Sequence, residues 1–432
     1  MPPERQQFVR SNRWNRCLTP KTLAALMAIF TACEAEADLM QDVERSLSMT
    51  AFDGHLRLKL SGTLDLEAYG IDSPAPALVY TTEHFLFNPR LSVFLDAQLD
   101  SYLYSFVQAR LDRGFDPSDK GAQVRLDEYL LRLTPWKDVK LGIQAGKFGT
   151  VVGNWVPRHY SWDNPFIDAP LPYENLTGLW DSSAPDSVET LFYWGHVPYD
   201  GITRFGDGYS DKRFRLPIIW GPSYASGASL LGGLGKFDYA FEIKNAALAS
   251  RPESWDLTQV GFGHPTFSGR IGFSPDVMWT LGISGSVGSY LQSEAAPTLP
   301  VDASIGDYRE ILLGQDMSFA WHHLQVWAEV FETRFEVPNV GNADVLSYYV
   351  EAKYKITSQL FVAGRWNQQL YGTVLYHDEN TPWGNDAWRV DAAVGYRFST
   401  YLQLKLQASL THHDEDIQEG ERLLGAQLTL EF

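Results

Sequence analysis

The 432-residue sequence is poor in cysteine, in basic charge and in long apolar runs, and each shortage excludes something. Its two cysteines, Cys17 and Cys33, lie near the N-terminus. The remainder can therefore build neither a disulfide framework nor a thiolate metal site. Lys and Arg total 35 against 53 Asp and Glu, a formal charge of −18 at pH 7. Nucleic acid is excluded as a partner, because binding it needs a cationic face. Beyond residue 33 no run of about 18 apolar residues occurs, which rules out a helical membrane protein.

What is present begins with an address. Arg10, Arg13, Arg16 and Lys21 precede an apolar run at 23–33, and Ala35-Glu36-Ala37 follows. Basic, then apolar, then small residues is the layout of a secretory leader, and the run is too short to cross hydrocarbon. Residues 1–37 are expected to be a signal peptide. A short periplasmic segment at 38–53 and a single domain at 54–432 follow.

From residue 54 onward the governing period is two, not 3.6. Between 54 and 69 the even positions Leu56, Leu58, Leu60, Leu64, Leu66 and Ala68 are apolar, while the odd ones include Arg57, Lys59, Asp65 and Glu67. The same alternation recurs at 85–97 and 402–412. Runs of this length match a tilted strand crossing hydrocarbon better than the shorter strands of soluble sandwiches. Connections alternate too, between turns of a few residues and long polar loops, as in a transmembrane β-barrel. Aromatic residues at run ends (Tyr102, Tyr104, Trp279, Trp327, Tyr348, Tyr349, Trp366, Trp388, Tyr396, Phe398) suggest interfacial girdles.

The expected architecture is all-β: a transmembrane antiparallel barrel with short periplasmic turns and long extracellular loops. Strands are predicted near 54–69, 85–97, 102–113, 122–134, 139–150, 224–233, 237–248, 266–274, 278–291, 309–320, 324–336, 346–356, 360–371, 388–398, 402–413 and 421–432. That makes sixteen. Residues 187–197 and 214–220 could add a pair and make eighteen, since single-chain barrels are even-numbered.

If the apolar parity faces lipid, the other parity lines the bore. Basic inward candidates are Arg57, Lys59, Arg90, Arg110, Lys140, Lys244, Arg270, Lys353, Lys355, Arg365, Arg389, Arg397 and Lys405. Acidic ones are Asp65, Glu67, Asp96, Asp112, Asp238, Glu242, Asp316, Glu329, Glu351, Asp391 and Glu431. The two sets nearly balance, so the excess negative charge belongs to the loops. A barrel of sixteen or more strands leaves a water-filled interior. One connection, 151–186, is far longer than the rest, and its aromatics and prolines argue against disorder. It carries Trp155, Arg158, His159, Trp162, Asp163, Asp168, Tyr173 and Glu174. The expectation is that it folds into the bore and narrows it; an ordered loop over the mouth is the alternative.

No constellation of metal ligands, of a nucleophile with its base, or of a phosphate loop is legible, so neither catalysis nor a cofactor is expected. The acidic run 414–421 could meet divalent cations among lipopolysaccharide head groups, although such a run is more often a hydrated loop.

Two stretches carry a family likeness. The ending 421–432 (ERLLGAQLTLEF), with Gly425, alternating Leu428 and Leu430 and a last Phe432, resembles the C-terminal signal of bacterial outer-membrane barrels. Residues 139–153 (VKLGIQAGKFGTVVG), with Gly146-Lys147-Phe148 and Gly153, resemble the strand-plus-loop segment of the phosphate-selective porin superfamily. The resemblance implies an outer-membrane homotrimer of sixteen-stranded channels with a cationic lumen, set in outer-membrane lipid and lipopolysaccharide. The near-neutral wall departs from that pattern, so the channel carries over and phosphate does not. The function expected is passive diffusion of ions and small hydrophilic solutes. A carbohydrate channel guided by Trp155, Trp162 and Tyr173, a barrel enzyme acting at its rim, and a barrel sheathing a partner protein are the alternatives.

Overall fold

The computed structural model describes residues 40–72, 78, 84–112, 123–136, 140–196, 215–251, 261–414 and 421–432. The expected leader and most of the acidic run lie outside these residues.

Alternation of apolar and polar side chains gives long antiparallel strands, because only that period keeps one face wholly apolar. The first eight are β1 (Leu56–Ile71), β2 (Phe85–Leu99), β3 (Leu103–Asp112), β4 (Gln123–Leu133), β5 (Gly142–Phe148), β6 (Ala225–Leu234), β7 (Phe237–Lys244) and β8 (Thr266–Phe273). The second eight are β9 (Trp279–Ser289), β10 (Arg309–Trp321), β11 (Leu324–Val337), β12 (Gly341–Lys355), β13 (Leu360–Tyr371), β14 (Ala387–Arg397), β15 (Leu402–His413) and β16 (Glu421–Glu431). Each pairs with its neighbour in sequence, and β16 returns to β1, with Leu428 opposite Leu66. The sheet is therefore closed. Closure is what lipid demands, since an unpaired backbone group in hydrocarbon costs several kcal/mol.

The seam is finished by Phe432. Its N–H and carbonyl pair with those of Gly62, at 3.0 and 2.8 Å. A Cβ on Gly62 would meet the Phe432 ring at 2.5 Å, so only glycine seats that ring. Below it a short strand, Ser48–Ala51, covers the rest of the β1 edge, with Ser48 opposite Lys59. A small hairpin, Thr373–Tyr376 with Glu379–Pro382, stands apart from the barrel sheet in the β13–β14 loop.

The faces are inverted relative to a soluble protein. On β15 Gln403, Lys405, Gln407, Ser409 and Thr411 are buried, while Leu406 and Leu410 are exposed. The eighteen-strand alternative is not what forms. At 187–197, the segment that could have added a strand, the chain makes α1 (Val188–His196). Ser187 starts it by accepting the Thr190 N–H at 3.2 Å, an N-cap geometry. Leu191 and Trp194 then fall on one buried face, with Trp194 stacked on Trp180 at 4.5 Å.

Three further expectations need correction. Lys140 precedes β5 and is exposed in the turn, so it is not on the wall. Tyr104, Trp327 and Tyr349 do not belong to an outward girdle; they share the parity of buried wall residues and point inward. A β-bulge opposite Gln108 and Ala109 shifts the register of β4. Arg125 and Asp127 face inward before it, and Leu130 and Arg132 after it, which hid this strand's charges from a strict period of two.

Candidate functional site: the inserted β5–β6 connection

The β5–β6 connection leaves the wall after Phe148 and packs on inward-facing side chains around much of the bore. Gly153 makes the first turn, with φ of +76°. A Cβ there would lie 2.3 Å from a Glu329 carboxylate oxygen and 2.6 Å from the Tyr173 hydroxyl, so a side chain would displace the anchor. Glu329 on β11 accepts the backbone N–H groups of Asn154 and Trp155 and the Tyr173 hydroxyl, the last at 2.8 Å.

A chain of ion pairs follows along β12, β13 and β14. Arg158 pairs with Glu351, donates to the Tyr349 hydroxyl at 2.9 Å and lies over the Trp327 ring at 4.4 Å. Asp168 meets Arg365, which also holds Asp391 at 2.7 Å. Glu174 meets Arg389, which reaches the same Asp391 at 3.1 Å. Each buried charge thus has an opposite charge beside it, the condition under which burial is tolerated.

Lys405 is bound differently. Its ammonium donates to three loop carbonyls, those of Ser161 (2.7 Å), Asn164 (2.9 Å) and Phe166 (2.9 Å). Alongside, the Ile167 N–H donates to Gln407 at 2.6 Å, the Leu171 N–H to Asn367 at 3.1 Å, and Arg397 covers the Trp162 ring at 4.8 Å.

The opposite wall touches the loop more sparsely. The Tyr160 hydroxyl reaches Gln108 and Glu128, at 3.1 and 3.0 Å, and its ring meets Phe94 edge-on at 5.4 Å. Thr150 donates to Glu242 at 2.8 Å, and Lys244 pairs with that glutamate at 3.3 Å. Otherwise charges on this side answer one another. Arg90 pairs with Asp65 and Glu67 at 3.1 and 2.7 Å. Arg110 and Arg125 share Asp112 and Asp127 at 3.0–3.3 Å.

His159 joins the loop to its return segment. Its Nε2 lies 2.7 Å from the Tyr224 hydroxyl, and its Nδ1 faces the Val156 carbonyl. A carbonyl only accepts, so Nδ1 carries the proton and Nε2 accepts from tyrosine. Burial pushes the imidazole down to about 4, keeping it neutral near pH 7.

The expected residues therefore separate into groups. Arg158, Asp168, Glu174, Arg365, Arg389, Arg397 and Lys405 meet in one loop–wall contact. Lys353 is buried near it, 4.3 Å over the Phe361 ring. Glu242, Lys244 and Arg110 belong to other wall clusters. Arg57 and Lys59 are exposed near the short turns, Lys59 being paired with Glu44 at 3.0 Å; Asp163 is exposed at the loop's lower edge. Sequence reasoning missed Asn154, Tyr160, Asn367 and Gln407, uncharged groups with no motif, and the four β4 charges Arg125, Asp127, Glu128 and Arg132. A break in alternation between Asp127 and Glu128 was the available signal for the latter.

No protein-family model matches this sequence, and no curated protein matches it. Solved structures do match in fold. OmpF of Salmonella typhi, in complex with daunomycin, aligns over 89% of this chain and 100% of its own, with 12% identity and a TM-score of 0.55. The outer membrane channel DcaP of Acinetobacter baumannii aligns over 89% and 100%, with 11% identity and a TM-score of 0.53. An anion-selective porin from Comamonas acidovorans aligns over 87% and 100%, with 9% identity and a TM-score of 0.51. The fold is that of the porins of bacterial outer membranes.

Proposed function

We propose that this chain is an outer-membrane porin passing small hydrophilic solutes by passive diffusion, with the β5–β6 connection narrowing the bore. The observation that carries the reading is the pairing of an apolar outside and a charged inside with a loop bound across the interior. The reading places the passage beside Arg90 of β2, whose side chain keeps 22% of its exposure, whereas Arg365 on the far wall keeps none. Toward the short turns Arg57, Lys59, Lys355 and Asp163 are exposed and form a vestibule of both signs. Fields of mixed sign favour hydrated solutes over one class of ion, so selectivity is weak.

The carbohydrate-guide reading loses support here. Trp155 and Tyr173 are buried against each other, ring centroids 4.6 Å apart, and offer no stacking face to a sugar. The sequence resemblance implies three such barrels side by side, a state that native mass measurement in detergent reads directly.

Reconstitution in planar bilayers tests the proposal. Deleting 158–176 is expected to raise single-channel conductance, and reversal potentials in a salt gradient are expected to stay near zero. Conductance unchanged by the deletion would overturn the constriction, and no channels at all would overturn the porin.

A further inference from the structure

One stretch of the bore is apolar on a wall that is otherwise polar. On β2 and β3 the inward parity carries Phe94, Tyr104 and Phe106, and all three rings stay half-exposed. Lipid does not account for them, because the outward parity of the same strands holds Val93, Leu95 and Val107. Inward rings on the far wall are covered: Phe331, Phe335 and Tyr349 are buried in the apolar core that the loops build there. Contiguous apolar surface left against water marks a place where something binds. Here the rings are contiguous. Phe94 and Phe106 lie 6.0 Å apart with 16° between their planes, and Phe106 and Tyr104 lie 6.5 Å apart with 15°. Tyr160 of the loop meets the upper end at Phe94, and Tyr104, the second residue of β3, brings the strip to the short turn. The ladder therefore descends from the loop to the vestibule along the wall that the loop touches sparsely.

The polar groups beside the ladder select among ring-bearing solutes. Gln108 accepts the Tyr160 hydroxyl, Gln144 accepts two N–H groups of Arg132 at 2.9 and 2.6 Å, and Gln98 donates to the Asp100 carbonyl at 2.7 Å. Glu128 accepts the Gly149 N–H and the Tyr160 hydroxyl, at 2.9 and 3.0 Å. The groups that the many hydroxyls of a sugar would need are thus engaged already. Two charges keep capacity. Arg132, opposite Tyr104 in register, holds its guanidinium 5.7 Å from the centre of that ring and makes no ion pair with a described residue. Asp96, opposite Phe106, accepts the Tyr104 hydroxyl through one oxygen and pairs with no described cation. Lys59, across from Asp96 on β1, is taken by Glu44 at 3.0 Å. One cation and one anion thus flank the same ring. Their charges cancel, so the strip favours neither a simple anion nor a simple cation.

We propose that this ladder guides zwitterionic solutes that carry an aromatic ring, the class of aromatic amino acids and short peptides. The ring stacks on Phe94 and Phe106, the carboxylate meets Arg132, and the ammonium meets Asp96. The inference deepens the porin reading and rests on it.

The test adds L-tryptophan to the full chain in planar bilayers, after open-channel current has been recorded. Tryptophan is expected to interrupt the current, whereas glycine and maltose at equal concentration leave it steady. Phe106→Ala is expected to weaken the block about fivefold, the worth of one ring pair. Arg132→Gln is expected to weaken it about tenfold while sparing tryptophanamide, which has no carboxylate. Asp96→Asn is expected to do the converse and spare N-acetyltryptophan. Open-channel conductance shows that each variant folds. Maltose blocking as strongly as tryptophan overturns the guide, as does an unaltered block in Phe106→Ala, or charge variants that weaken all three compounds alike. Open channels indifferent to tryptophan overturn the guide alone, whereas channels that never open overturn the porin reading and the guide with it.

Discussion

The wall of β11–β15 and the wall of β1–β4 are built from the same residue types and serve the loop in opposite ways. On the first, Glu329, Glu351, Arg365, Arg389 and Lys405 each engage a loop group. On the second, Arg90, Arg110 and Arg125 find acids on neighbouring strands. The first is a receptor, whose charges need the loop in place. The second is a self-neutralised surface that can face water without losing its partners. A charged wall is therefore not one thing; what matters is where its counter-charges come from.

Four measurements break or sharpen that contrast, starting with the largest effect. Arg365→Met removes the cation shared by Asp168, Glu351 and Asp391, leaving these carboxylates and Glu174 with only Arg158 and Arg389 between them. The cost is about 3–5 kcal/mol, expected as noisy, enlarged conductance and protease cleavage within 151–186.

Acid acts next. His159 sits at about 4 when folded against an ordinary 6.5, so below pH 6.5 the released loop binds a proton that the docked loop refuses. Its contribution is complete above pH 6.5 and lost as pH falls toward 4, about 3 kcal/mol in all. Conductance noise should rise across that window and stay flat in His159→Gln.

Lys405→Met is milder, leaving three loop carbonyls without their donor for about 1–3 kcal/mol; conductance should increase without loss of folded barrel. Smallest in its effect on the loop is Arg90→Gln on the self-neutralised wall, whose ion pairs are with Asp65 and Glu67 of β1 and not with the loop. Its readout is a reversal potential moved toward cations, with resistance of the unboiled barrel unchanged. If Arg90→Gln destabilised the loop as much as Lys405→Met, the division of the two walls would be wrong.

Strand positions were legible because a barrel in lipid enforces one rule along nearly its whole length. Where local chemistry interrupts the rule, the sequence reading fails: the bulge before Glu128, the Ser187 cap that turns a supposed strand into α1, and Lys140, left in a turn. Trp327 and Tyr349 look like girdle residues by composition, and only parity shows that they sit beneath Arg158. The loop's length and charges could be read directly, but not its partners. Asp168 and Arg365 lie 197 positions apart, and nothing local specifies that they meet.

The seam has a kinetic consequence. Glu67 and Gln427, hydrogen-bonded across it, are 360 positions apart, so this pairing closes the largest loop of chain and carries the heaviest entropic delay. Until it forms, β1 and β16 each present an unsatisfied strand edge. Closure of the cylinder should therefore be the committing step of assembly, and a substitution at Gly62 should stall biogenesis before it changes anything about permeation.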